Sequence, residues 1–472
     1  MLFTSLEFLL FFLPTVVLIN SILPRKVQNI WLFISSLFFY AWGEPFFVII
    51  MMASILLNYL LALSIEKIQK SVIRKVLLTI DITINLGLLF IYKYMNFTTI
   101  LLKLFIDDIG VTSYIFPIGI SFYTFQSLSY VVDVYRGEKA QKSLINVGLY
   151  IAFFPQLIAG PIVRYSDIKE QLINRKVTFE DFSSGIYRFL IGFNKKMMLA
   201  NMLANIADQS FDISSERSVF LAWIGALCYS LQIYFDFSGY SDMAIGLGKL
   251  MGFHLPINFN YPYTSKTISE FWRRWHITLG QWFKDYLYFP LGGSKVSSKK
   301  RLIFNLMFVW LMTGIWHGAN MTFILWGIMY GILISFEKFL SIPSKLENGK
   351  CIKRVLYQIF TLLAIMIGWV IFRSEYLDSA LWYIQDMFGL GQGNLINKND
   401  IFFIREYGIY IVAGIMFSLP VFKNYISKIK NKNANTYYII DALVYCINIV
   451  LFLVGISYLV ISAHNPFIYF NF

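Results

Sequence analysis

The sequence predicts an all-α polytopic membrane protein, and two observations carry that reading. Of its 472 residues, 57% are hydrophobic and only 14% charged, whereas a soluble globular protein carries roughly 25% charged residues. Apolar runs of about 20 residues, the length that crosses a bilayer as a helix, recur from one end of the chain to the other. This composition excludes a secreted soluble enzyme, an ordinary nucleic-acid binder and a disordered scaffold. Length alone would allow about three soluble domains. The continuity of the apolar runs argues instead for one membrane domain over 1–472, with N-terminal helices in 1–205, a core in 219–337, and C-terminal helices with an aromatic tail in 355–472.

Clear spans fall near 5–23, 27–42, 45–64, 76–97, 186–205, 219–235, 321–337, 355–372, 407–422 and 438–463. The first has no basic region before it and no small-residue cleavage site after it, which marks a retained helix and not a signal peptide. The stretches 115–135, 145–162 and 302–318 are shorter or interrupted, as half-helices or steep spans would be. The expected total is about 11 spans. The net charge of +13 is gathered in short loops: Arg25/Lys26, Lys67 to Lys75, Lys295 to Arg301, Lys338 to Arg354 and Lys423 to Lys432. That is the positive-inside pattern, not a nucleic-acid surface. With those loops in the cytoplasm, both termini and the loop 373–400 fall outside. Three cysteines cannot form a disulfide framework, and Cys228 and Cys446 lie within apolar spans.

The segment 230–330 departs from simple hydropathy, because polar, charged and histidine residues sit among aromatics at membrane depth. Such groups are costly in hydrocarbon and mark function. Within it, 267–288 reads as an in-plane helix. Thr267 and Glu270 form a capping box. Phe271, Trp275, Leu279, Trp282 and Tyr286 share one face, with Glu270, Arg274, Gln281, Lys284 and Asp285 opposite and Arg273 beside them. The plain reading is an interfacial amphipathic helix, with His276 at the boundary of the two faces and within reach of a polar cavity. His317 lies between Gly314 and Gly318, with Asn320 following. A lone histidine on an apolar helix is commonly a hydrogen-bonded structural residue, but two of the chain's four histidines, His276 and His317, lie in the polar-aromatic core of this region. They are therefore expected to work together, one of them titrating near neutrality as a general base. Asp236 completes a relay with a histidine or serves as a structural partner of Arg273, Arg274 or a backbone turn. Asn258, Tyr261 and Tyr263 read as an ordered loop.

The residues also resemble a known family, the membrane-bound O-acyltransferases (MBOAT), in the bacterial branch that O-acetylates alginate and peptidoglycan. The resemblance runs through MLFTSLEFLLFFLP, YFDFSGYSDMAIGLGKLMGF, INFNYPY, EFWRRWHITLGQWFKDYLYFPLGG, WHGANMTFILWG and the terminal NPFIYFNF. It implies a ring of transmembrane helices around a core thinned by re-entrant and in-plane segments, in a bacterial inner membrane. The signature histidine of the family falls on His317 and a second polar position on His276. The implied activity moves an acetyl group from a cytoplasmic thioester, acetyl-CoA or an acyl-carrier protein, towards a hydroxyl at the outer face, with no bound cofactor.

A thioester is already activated, so the transfer needs a base, an environment for the developing oxyanion, and exclusion of water. His317 is assigned as the base, a role worth about 10²–10⁴ in rate. Asn320 would orient it or donate to the oxyanion, His276 or Arg273 would place the donor or stabilise negative charge, and Trp316 would line the substrate site. No G-x-S-x-G elbow suggests a serine acyl-enzyme, and the sequence holds no metal-ligand cluster and no phosphate-binding glycine loop. Some relatives use a small partner with an aromatic, tyrosine-bearing C-terminus. By that resemblance Tyr469 is a candidate acyl acceptor, against the alternative of an aromatic belt residue. A separate extracytoplasmic O-acetyltransferase is expected as partner, with the amphipathic run Tyr376 to Phe388 as its dock, and membrane lipid as surroundings. D-alanyl transfer to teichoic acid, alginate or another exopolysaccharide as acceptor, and a non-catalytic precursor transporter stay open as alternatives. The abundance of Ile, Lys and Asn hints at an AT-rich genome and leans towards peptidoglycan.

Overall fold

A computed structural model describes the chain except residues 107, 214–216, 348, 462–467 and 469–472. Every element among the described residues is helical. Among the described residues seven helices are long and apolar enough to cross a membrane: Phe47–Lys67, Ser71–Lys103, Val219–Leu250, Met321–Phe339, Cys351–Arg373, Asp400–Ser418 and Asn435–Ile461, with a shorter apolar helix over Phe8–Ile22. This is fewer than the sequence count of about 11, for identifiable reasons. The expected span at 27–42 is the 17-residue helix Arg25–Ala41. The one at 186–205 runs through a π turn, Lys195–Ala200, that carries two lysines. Apolar content alone also hides two kinds of helix. The window in Val219–Leu250 is 72% buried, that in Asn435–Ile461 only 6%, so the first is interior and the second is exposed nearly all round.

The described residues form two compact units that interleave along the chain: Met1–Phe189 with Tyr240–Ile257, and Leu190–Gly239 with Asn258–Phe472. The boundaries differ from the division at 205 and 219 read from hydropathy. In the first unit, Phe12, Phe39 and Phe154 pack with ring centroids 5.2–5.6 Å apart. The interruption foreseen at 145–162 is present. Leu144–Ala152 has nine residues, about 14 Å at 1.5 Å per residue, too short to cross a ~30 Å hydrocarbon layer. After it the chain breaks, and the Phe154 amide donates to Ser36 Oγ at 3.1 Å. Ile120–Tyr135 is buried on almost every face, and some of its polar groups are met internally. Ser129 bonds the Tyr150 hydroxyl at 2.9 Å, which in turn reaches the Val163 carbonyl at 2.9 Å. Backbone and side-chain polar groups removed from water have to be paired in this way. Asp242 pairs with Arg188 at 3.0 Å in the same unit.

In the second unit, Lys299–His317 and Met321–Phe339 form a hairpin whose helices nearly touch. A Cβ on Gly314 would lie 2.4 Å from the Phe323 carbonyl oxygen, and one on Gly327 would lie 2.5 Å from that of Trp310. Both ends of the hairpin's open side are basic, and Lys299 Nζ sits 5.0 Å over the Phe339 ring. His317 closes a 19-residue helix, about 28 Å from that basic end. Gly314→Val is expected to cost about 1–3 kcal/mol by forcing this contact apart. Thermal unfolding of the detergent-solubilised protein checks it, and an unchanged melting temperature would show that the two helices do not rely on the glycine contact.

Candidate active site

The site is assembled around a break in the segment expected to be one helix. Thr267 caps as foreseen, its hydroxyl accepting from the Glu270 amide at 3.1 Å. The Glu270 carboxylate takes the Lys266 amide at 2.9 Å and the Arg274 guanidinium at 2.9 Å. The helix then runs only from Ile268 to Arg274, Trp275 is extended, and His276 takes a left-handed backbone with φ 45° before Ile277–Phe283 resumes. A continuous in-plane helix over 267–288 is therefore corrected to two short helices joined by a kink. The shared apolar face survives the break, since Phe271, Trp275, Leu279 and Trp282 are all buried. It faces protein, not a bilayer surface.

A left-handed histidine costs about 1–2 kcal/mol, and neighbouring groups hold it. The Ile277 amide donates to the Asn258 carbonyl at 2.9 Å, and the Asn260 amide to the Arg274 carbonyl at 2.9 Å. Asn258 Oδ1 accepts from the Thr278 amide at 3.2 Å and the Thr278 hydroxyl at 2.9 Å, and lies 3.2 Å from His276 Nδ1. The Thr278 N–H is an obligate donor, so the Asn258 atom it meets is the oxygen, and His276 Nδ1 must donate its proton to it. In neutral His276 that leaves Nε2 as the bare lone pair. Nε2 is buried and has no hydrogen-bond partner among the described residues. His276 is thus arranged as a proton acceptor, not as a group that stabilises negative charge.

The kink is also fixed from behind. Glu337, fully buried, accepts the Ile268 and Ser269 amides at 2.7 and 2.8 Å and the Tyr357 hydroxyl at 3.1 Å. These are orphan N–H groups of a helix start, where a carboxylate is stabilised.

Around the histidines the walls are aromatic. The His276 ring lies edge-on to Phe237 at 4.6 Å and 6.2 Å from Trp316. Trp316 in turn lies 5.0 Å from the His317 ring, so one buried indole neighbours both imidazoles. His317, 8% exposed, also meets Trp326 and Phe372 edge-on, each at 5.1 Å. Gly318 is needed because a Cβ there would strike the Phe323 ring at 2.3 Å. Trp326 Nε1 and the Tyr330 hydroxyl, on rings 5.2 Å apart, are buried donors without a partner among the described residues.

The other residues singled out in the sequence fall as follows. Asn320 caps Met321–Phe339, its Oδ1 accepting from the Thr322 amide at 3.2 Å while Nδ2 donates to the Glu375 carbonyl at 2.7 Å. Both ends of its amide are occupied by these bonds. Arg273 is exposed. Asp236 does not pair with Arg273 or Arg274: its partner is Lys196 at 2.7 Å, both buried, and its second oxygen accepts the Ile468 amide at 2.9 Å. Tyr469 lies outside the described residues. Tyr376 to Phe388 forms the helix Leu377–Met387, which buries Ala380, Tyr383 and Met387 and exposes Leu381 and Trp382. Sequence reasoning placed Asn258 in an ordered loop without a chemical role and passed over Glu337, which no local pattern singles out.

A helical membrane protein that encloses two imidazoles within tryptophan and phenylalanine walls has the makings of a group-transfer enzyme working away from water. Residues 37–378 match the membrane-bound O-acyltransferase family, and the chain belongs to that family: it is a multi-pass membrane O-acyltransferase. It is 41% identical over 406 residues to a probable alginate O-acetylase of Azotobacter vinelandii, covering 84% of this chain and 80% of the relative. To a peptidoglycan O-acetyltransferase of Helicobacter pylori it is 34% identical over 520 residues, 100% of this chain and 98% of the relative. A teichoic acid D-alanyltransferase of Bacillus subtilis is 29% identical over 47% of this chain and 59% of its own length.

Glu337→Ala should strand two buried N–H groups at about 1–3 kcal/mol each and lower the melting temperature markedly, with Glu337→Gln intermediate. A Glu337→Ala protein as stable as wild type would show that the kink is held by other means. Asn258→Ala should leave the protein folded but release His276, lowering turnover more than donor binding. Equal losses in kcat and in donor affinity would instead assign Asn258 to binding.

Proposed function

We propose that this protein takes acetyl from a cytoplasmic thioester and passes it across the bacterial inner membrane for O-acetylation of peptidoglycan through an extracytoplasmic partner. The observation that carries the reading is the pair of buried imidazoles that share Trp316 as a neighbour, enclosed by aromatic rings. Its polymer is favoured by the Helicobacter pylori relative, which matches the chain from end to end. The higher identity of the Azotobacter vinelandii relative keeps an exopolysaccharide as the second reading of the acceptor.

In this mechanism His317 takes the proton of the incoming hydroxyl as its oxygen attacks the thioester carbonyl. The carbonyl oxygen gains charge, and the Trp326 indole N–H, placed against the His317 ring, donates to it. The intermediate collapses with cleavage of the C–S bond, and the thiolate leaves with the proton returned by the His317 imidazolium. Ester has then replaced thioester, with no net proton uptake. His276 Nε2, with no proton of its own, accepts a hydrogen bond from the hydroxyl or the departing thiol and orients it. The first acceptor on this account is Tyr469. Ile468, which precedes it, is buried on Asp236 inside the same unit as the histidines. The exposed Leu381 and Trp382 of Leu377–Met387 offer the partner an apolar face outside the membrane.

The test uses ester-linked acetate released by mild base from the wall polymers of a deletion strain complemented with variants. His317→Ala should restore less than about 1% of wild-type acetate, in line with loss of a general base, while remaining at normal abundance in the membrane. Tyr469→Phe should behave the same way. Full restoration by His317→Ala would end the catalytic assignment, and full restoration by Tyr469→Phe would remove the acyl-tyrosine step alone.

A further inference from the structure

A cavity of about 540 Å³ opens in the first unit between the start of the helix Arg25–Ala41 and the segment 175–179. Arg25, Arg175 and Lys176 line it, and no carboxylate does. Asp181, in the first turn of the adjoining helix, is engaged elsewhere: it accepts from the Thr178 hydroxyl at 2.7 Å and faces His254 at 3.7 Å. Arg175 is built in, not draped over the surface. Its Nε donates to the Met251 carbonyl at 2.9 Å, Nη1 donates to Asn29 Oδ1, and the guanidinium stacks 4.4 Å over Phe253. The third nitrogen, Nη2, is buried with no partner among the described residues. So is Oδ1 of Asn20, a 3% exposed residue on the same wall. Burial, with Arg25 beside it, pulls the Arg175 guanidinium down to about 10. The fork is held by two nitrogens, and Arg175 lines a space whose walls carry two more cations.

We propose that this cavity is a binding site for a phosphate ester. A guanidinium edge and two ammonium or guanidinium charges match the several acceptor oxygens of a tetrahedral anion. Asn20 and Gln28 add neutral polar groups to the lining, and Phe182 supplies an apolar wall for the ester's organic arm. A volume of this size holds a small organic ligand. Arg25 belongs to the first of the basic loops that the charge pattern places in the cytoplasm, so the ester comes from that side. Two sources carry this chemistry there: the phosphopantetheine arm of the thioester donor and the headgroup of an anionic phospholipid such as phosphatidylglycerol. The first of these rests on the donor assignment under the proposed function; the phosphate site itself does not.

The experiment is calorimetric binding to the full-length protein in phosphatidylcholine nanodiscs, without turnover. 4′-Phosphopantetheine is compared with pantetheine, and short-chain phosphatidylglycerol with short-chain phosphatidylcholine. At least one phosphate probe should bind at least tenfold more tightly than its neutral or zwitterionic counterpart, and the one that does names the source. Arg25→Ala/Lys176→Ala, both exposed positions, should weaken it at least tenfold, and Arg175→Lys, which keeps the charge but loses the fork, should weaken it as well. His317→Ala should bind as wild type, which separates this site from the chemistry. The proposal is overturned if neither probe outbinds its counterpart tenfold, or if the double variant binds as wild type does.

Discussion

The carboxylate of Glu337 meets the first two amides of a seven-residue helix deep in the protein, and the geometry of the site descends from that contact. A helix this short is not stable alone, and in an interior without water its free N–H groups must be met by protein. Glu337 meets them and fixes where the helix begins. The chain therefore reaches Trp275 and His276 at a set place and direction. Asn258 receives it there, taking the Thr278 groups and His276 Nδ1 on a single oxygen. The left-handed turn at His276 is strain held by hydrogen bonds on both sides of it, and its effect is to face a bare ring nitrogen inward.

The second histidine is delivered by a different device. Glycine contacts between Lys299–His317 and Met321–Phe339 bring the two backbones together, and the turn between them sets His317 against Trp326 and Phe372. Trp316 then bridges to the His276 ring. One histidine is thus aimed by polar contacts and the other by close packing. Their enclosure by indole and phenyl rings lowers the local dielectric, which strengthens the few polar interactions that remain.

Much of this was legible in the sequence. Long apolar runs gave the membrane class, Thr267 with Glu270 marked the true start of the short helix, and polar residues crowded among aromatics singled out 230–330, the stretch that holds both imidazoles beside Trp316. What was not legible depends on tertiary contact. A left-handed histidine gives little local signal, since glycine is the residue that adopts that conformation freely, so the segment reads as one helix. Glu337 and Asn258 act across 69 and 18–20 positions of sequence, distances at which periodicity says nothing. Asp236 looked like a mate for the nearby arginines, but Arg274 is held within its own helix by Glu270, one turn away, and the buried Lys196 takes the aspartate instead.

The central claim is that His317 drives acyl transfer from a thioester inside this enclosure. The most direct measurement is single-turnover release of free thiol from acetyl-CoA, or from an acetylated carrier protein, by purified protein in nanodiscs without polymer or partner. Wild type should release thiol in a burst approaching one equivalent per protein, with acetyl retained on the chain. The same burst from His317→Ala, or none from wild type with either donor, would contradict the account.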